Sequence, residues 1–187
     1  MMHTPHPSPV DLEIITVAVY PRVGGMTSWM DQIARGLSAR GWRVRLVGIS
    51  DQWQEDYDTA PYEAIQIFID PPGTWSFPPL DRWLRWRAAI WRLMTWQSVT
   101  SAPRLRLSDA TLGGLHAAHQ LSLRDGVKRV VLHGGDVFAE SASLSTRRWY
   151  HKRLRDYLNQ AVHIFVDGSD LIEAFVRNGV RRELLSI

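Results

Sequence analysis

The feature that most restricts this chain is the alternation of short apolar runs with helical segments along nearly its whole length. EIITVAVY at 13–20 reads as a buried strand, and 27–40 repeats apolar residues at helical spacing. That spacing puts Trp29, Met30, Ile33, Ala34 and Leu37 on the inner side, with Gly41 as a stop. Residues 42–49 and 63–69 read as the second and third strands, separated by the polar loop DQWQEDYDTAP. The prolines of DPPGTWSFPP then forbid a regular element. Helical spacing at 80–97, a short strand at 104–108 and a helix at 110–124, weakened by Gly113 and Gly114, continue the pattern. A turn at Asp125 and Gly126 leads into a strand at 129–133, and a strongly charged helix follows at 145–159. A strand at 161–166, a helix at 169–178 capped by Ser169 and stopped by Gly179, and the start of another strand in RRELLSI complete the series.

Such alternation predicts an α/β fold: a doubly wound, mainly parallel, Rossmann-like sheet with helices on both faces. A chain of 187 residues, 45% hydrophobic, has room for one such core, which we place at 13–187 after a flexible lead-in at 1–12. Right-handed connections gather the binding loops at the carboxyl ends of the strands. Gly24, Gly25, His133, Gly134, Gly135, Asp136, Asp167 and Ser169 all fall at such ends.

Composition removes several chemistries. Without cysteine there are no disulfides, no thiolate nucleophile and no Cys-rich zinc site, which suits a reducing compartment, so a cytoplasmic location is expected. No run reaches the eighteen apolar residues of a membrane span. The net charge of +3, from 22 basic and 19 acidic residues, is too small to argue for nucleic acid as a partner.

The glycine pair at 24 and 25 stands where the first strand hands over to its helix. A helix start leaves backbone N–H groups without intrahelical partners and carries partial positive charge, so it can hold a phosphate or carboxylate when side chains stay away. Thr27 or Ser28 could cap the helix or donate to the same anion, while Tyr20 and Arg22 flank the turn. The spacing matches neither GxGxxG nor GxxxxGK[ST]; a tight turn that binds nothing is the competing reading. VVLHGGDVFAE repeats the design after the fifth strand, with His133 at the strand end and Gly134 and Gly135 letting the backbone approach a ligand. Asp136 could hold a sugar hydroxyl, orient His133 or fix the turn. His133 and Asp136 are two ligands at most, and His116 and His119 share a helix face without a nearby acid, so no metal site is assigned.

Residues 78–97 form a basic, tryptophan-rich amphipathic helix with four of the nine tryptophans. Trp83, Trp86, Ile90, Leu93 and Met94 make one stripe, and Arg82, Arg85 and Arg92 another. Arg82, Arg85 and Arg92, with Trp86 beside them, suit anionic lipid at the inner face of a membrane or a partner domain; a core helix with a solvated basic edge is the plainer reading.

These residues resemble the amino-terminal domain of retaining glycosyltransferases of the GT-B fold, family 4. The likeness lies in ITVAVYPRVGGMTSWMDQIARGLSARGWRVRLVG, RLRLSDATLGGLHAAHQL, VKRVVLHGGDVF and AVHIFVDGSDLIEAFVRNGVRRELLSI, which together cover most of 13–187. The resemblance implies an acceptor-binding half that works with a second, donor-binding domain or subunit. That assembly would transfer a sugar from a nucleoside diphosphate sugar to a glycan, lipid-linked or small-molecule hydroxyl, without metal or other cofactor. It further implies that Gly24 and Gly25 approach phosphates and acceptor, that His133 lies beside the transferred sugar with Asp136 near it, and that Ser169 opens the helix after the sixth strand. No donor half, with its basic and Glu-bearing motifs, follows here, so the chain alone is expected to be catalytically incomplete. A non-catalytic scaffold that kept this fold, or a self-contained nucleotide-binding enzyme of another doubly wound family, are the alternatives.

Overall fold

The computed structural model describes residues 10–16, 25–50, 59–68, 88, 91–92, 95, 101–133, 138 and 147–187. Seven strands make one sheet: β1 Leu12–Thr16, β2 Val44–Ser50, β3 Glu63–Phe68, β4 Leu105–Asp109, β5 Lys128–His133, β6 His163–Val166 and β7 Leu185–Ser186. All neighbours pair in parallel, in the order β3-β2-β1-β4-β5-β6-β7. Among the described residues, the helices with defined bounds are α1 Gly25–Ser38, α2 Leu112–Asp125, α3 Arg147–Leu158 and α4 Ser169–Arg177, with a 3-10 turn at Arg182–Leu184 before β7. This is the doubly wound α/β fold expected from the alternation.

The period-2 pleat sorts the strand residues into two cores. Leu12, Ile14, Val44, Leu46 and Leu107 face Met30 and Ala34 of α1. On the other face Val131, Ile164 and Val166 meet Leu115 of α2, Leu154 and Leu158 of α3 and Phe175 of α4. Each fully buried side chain of this kind contributes about 1.5–3 kcal/mol. On the first face a groove of about 480 Å³ lies between α1 and β5, lined by Trp29, Ile33, Leu37 and Leu132 among others. Phe165 on the same face is 41% exposed.

Several expectations shift. Trp29, expected on the inner side of α1, is exposed, because Met30 and Ala34 take the contact with the sheet. β1 begins at Leu12, and Val10 is already buried, tied in by the backbone of Arg104. Gly41 takes a left-handed φ of 84° in the turn that follows α1, which itself ends at Ser38. Gly126 terminates α2 in the same conformation, donating its N–H to Ser122 O. Ser169 does not cap α4. Gly168 holds the capping position without a side-chain bond, and Ser169 is the first helical residue.

A row of charged residues crosses the sheet near its amino-terminal end, where buried parallel strands are ordinarily apolar. Register aligns Glu63, Arg45, Glu13, Arg106 and Arg129 on consecutive strands β3, β2, β1, β4 and β5. Arg106, fully buried, bonds Glu13 at 2.8 Å, Asp125 at 2.8 and 3.2 Å and Ser122 at 3.1 Å. Arg45 bonds Glu63 at 2.8 Å and lies 3.7 Å from Glu13. Burial of Asp125 favours its neutral form, but the Arg106 bond, the Val127 N–H and nearby positive charge outweigh this and lower its pKa below 3.8. Arg129 donates to the carbonyl of Leu115 at 3.2 Å and to that of Tyr157. Burial chiefly, with repulsion from Arg106, brings its pKa down to about 10, so it stays charged at neutral pH.

Between α2 and α3, His116 Nδ1 and the Tyr157 hydroxyl are 2.7 Å apart, and the His119 ring stands 5.1 Å from the Tyr157 ring. Burial, followed by repulsion from Arg153 for His116 and from Arg129 and His116 for His119, lowers both pKa values below 6.5.

Two stability measurements follow from these contacts. In urea denaturation, Glu13→Ala, which strips a buried guanidinium of one partner, should cost about 3–5 kcal/mol. Glu63→Ala, at the half-exposed end of the same row, should cost about 1 kcal/mol or less. Because the unfolded histidines bind protons first, the contribution of His116 and His119 is whole above 6.5 and is lost as pH falls through the lower folded values. The urea midpoint should therefore drop as pH falls below 6.5, with a shallower slope in His116→Gln/His119→Gln.

Candidate functional site

The sheet order reverses at β1, whose neighbours are β2 on one side and β4 on the other, and in such folds the crevice outside the strand ends at this reversal receives ligands. Thr16 closes β1 and Asp109 closes β4 across that reversal, and the Thr16 hydroxyl donates to Asp109 Oδ2 at 3.0 Å. Asp109 Oδ1 accepts from Thr111 N at 3.1 Å and from Thr111 Oγ1 at 2.6 Å. Thr111 Oγ1 in turn accepts from Gly114 N at 3.2 Å, which caps α2. One buried carboxylate thus links two strand ends to a helix start. It also explains Gly114, since a Cβ there would stand 2.1 Å from Asp109 Oδ1. The glycine expected to weaken this helix is what lets it begin against Asp109.

Sequence reasoning passed over Thr16 and Asp109. The available signal was SDATLGG, an aspartate at a strand end two residues before a threonine N-cap and five before the second glycine.

Gly25 opens α1, and Thr27 lies in its first turn. Arg22, Gly24, Gly134, Gly135 and Asp136 lie outside the described residues, as do Arg82, Arg85 and Trp86. Arg92 is helical and exposed. Ser169 is exposed at the start of α4, beyond the end of β6.

His133 is the last residue of β5, at the expected edge, but its ring does not open there. The side chain is 6% exposed, aligned with Val166 and 6.0 Å from the Phe175 ring on the α4 side of the sheet. α1 lies on the opposite side. β4 also separates β5 from β1, so the two glycine turns follow strands about 10 Å apart. The strand ends share one edge, and the helix start and the imidazole occupy different layers. Phe138, packed edge-on to both Phe175 and His151, extends the aromatic cluster under the end of β5. Among the described residues, no group of three metal-ligating side chains converges.

No family model matches the chain, and no curated protein matches its sequence. Solved structures do match its fold. Sucrose-phosphate synthase from Thermosynechococcus elongatus superposes with a TM-score of 0.67 at 13% identity, over 92% of this chain and 46% of that one. Anabaena HepE in complex with UDP-glucose gives 0.62 at 13%, over 93% and 42%. UDP-GlcNAc 2-epimerase from Methanocaldococcus jannaschii gives 0.61 at 10%, over 95% and 45%. The fold is therefore that of one half of a GT-B protein, and the chain spans less than half the length of each of these three.

If Asp109 ties the two strand ends together, Gly114→Ala should lower stability by about 1–3 kcal/mol in urea. Asp109→Ala, which leaves the Thr16 hydroxyl and the Thr111 N–H without their acceptor, should cost about 1–3 kcal/mol.

Proposed function

We propose that this chain is the acceptor-side half of a glycosyltransferase that moves a sugar from a nucleoside diphosphate sugar to a hydroxyl, completed by a second, donor-binding Rossmann-like domain or subunit. The observation that carries this reading is the match of nearly the whole chain to one half of proteins whose described ligands and substrates include UDP-glucose and UDP-GlcNAc.

The resemblance to family 4 favours retention of anomeric configuration. In a front-face transfer the departing diphosphate takes up negative charge, so the barrier falls when N–H groups and cations already point at it. The start of α1, at Gly25, supplies such N–H groups at the strand-end edge without a side chain in the way. Gly24 and Gly25 approach the phosphates and acceptor in this account, while Gly134, Gly135 and Asp136 form the second wall. His133 acts from beneath that wall: its buried ring fixes the end of β5 and so the direction in which the loop leaves. Arg22, Thr27 and Ser169 are the remaining polar groups proposed for the half-cleft.

The complete assembly, this chain with its donor-side domain, should release nucleoside diphosphate and glycosylate a hydroxyl acceptor when given a panel of nucleoside diphosphate sugars. Gly25→Val should reduce kcat/KM by roughly a hundredfold or more, by blocking the N–H groups at the helix start. An assembly with no transfer on any donor would defeat the proposal.

A further inference from the structure

We propose that the outer face of α3 is a docking surface for an anionic lipid bilayer. This goes beyond the transferase reading and does not depend on it. The sequence RRWYHKRLRDYL divides by contact: Leu154, Tyr157 and Leu158 are buried against the core, and His151 packs on Phe138. Arg148, Trp149, Lys152 and Arg153 are exposed on the opposite stripe, at i, i+1, i+4 and i+5. Trp149 is 56% exposed, and the Arg153 guanidinium lies 5.9 Å from its ring centroid.

Three features point to an anionic, partly apolar partner. The first turn of α3 contains Arg147 and Arg148 and no acid, which places cations at the positive end of the helix dipole. The first turns of α1 and α2 also lack an acid, but among the described helices α3 is the one that places basic residues there, an arrangement the dipole disfavours. Among the described residues no carboxylate pairs with Arg148 or Arg153, and only Lys152 has one, Asp156 at 2.8 Å. Finally, an exposed indole beside cations matches the headgroup region, where the ring sits at the apolar boundary and the guanidinium meets phosphate. Cation clusters on an amphipathic helix are recognised by anionic lipid in the same way.

The orientation gives the contact a use. Because α3 connects the parallel strands β5 and β6, it runs against them, so its basic first turn lies towards the carboxyl ends of the strands, the edge of the candidate site. A bilayer held by α3 would bring a lipid-borne or membrane-proximal hydroxyl to that edge.

The test is co-sedimentation of the full chain with phosphatidylcholine vesicles, with and without about one third phosphatidylglycerol. We expect binding to the anionic vesicles only, lost in high salt. Arg148→Glu/Arg153→Glu should weaken binding roughly tenfold or more, Trp149→Ala should weaken it by a smaller factor, and Arg148→Lys/Arg153→Lys should retain it. All three variants alter exposed side chains, and unchanged circular dichroism checks that they fold. Absence of binding to the anionic vesicles, equal binding to pure phosphatidylcholine, or anionic binding untouched by the charge reversal would each overturn the proposal. So would binding of single-stranded RNA in preference to vesicles.

Discussion

The structure depends on five side chains that share one level of the sheet: Glu63, Arg45, Glu13, Arg106 and Arg129. A parallel sheet in an α/β domain buries both faces, so any charge there must find its partners inside. Alternating signs across β3, β2, β1 and β4 supply them, and Asp125 of α2 closes the row over Arg106. Slipping any strand by one residue would move its charge to the opposite face, away from its partners. The row therefore fixes register at the amino-terminal end, where hydrophobic contacts alone would tolerate more variation. It is a device for specificity of pairing more than for net stability, since ion pairs of this kind barely repay their desolvation.

With register fixed at one end, the other is available for loops. Thr16, Asp109 and His133 all close strands at the carboxyl edge, and the first two are joined by a hydrogen bond across the point where sheet order reverses. The division into a tied end and a loop end is what lets this architecture vary its ligands while keeping its frame. Asp109 joins the two roles: its carboxylate holds the frame, and it stands at the strand ends where the sheet order reverses. Arg129 secures the neighbouring layer, clasping carbonyls of α2 and α3 from the start of β5.

Most of this architecture was legible in the sequence, because strand and helix periods differ and the apolar runs obey them. Among the described residues, the six longer strands and the four helices with described bounds fall within a few residues of where periodicity puts them. What sequence could not show was which neighbours would meet. Arg106 and Glu13 are 93 positions apart and read as ordinary charges until the sheet aligns them. Gly114 reads as a helix weakness until Asp109 occupies the space its Cβ would need. His133 reads as a residue at the mouth of the sheet, but the pleat turns its side chain towards Phe175, a one-residue matter of parity that depends on where β5 starts. Trp29 fails similarly: helical spacing gave an apolar arc wider than the sheet contact, and Met30 and Ala34 took its centre.

The account comes down to a half-cleft that cannot hold its ligand firmly without a second domain. Calorimetric titration of nucleoside diphosphate sugars into this chain alone tests that most directly. The account predicts no saturable one-to-one heat in the micromolar range for any of them. Tight stoichiometric binding by the isolated chain would contradict it, and would make the molecule a self-contained nucleotide-binding protein.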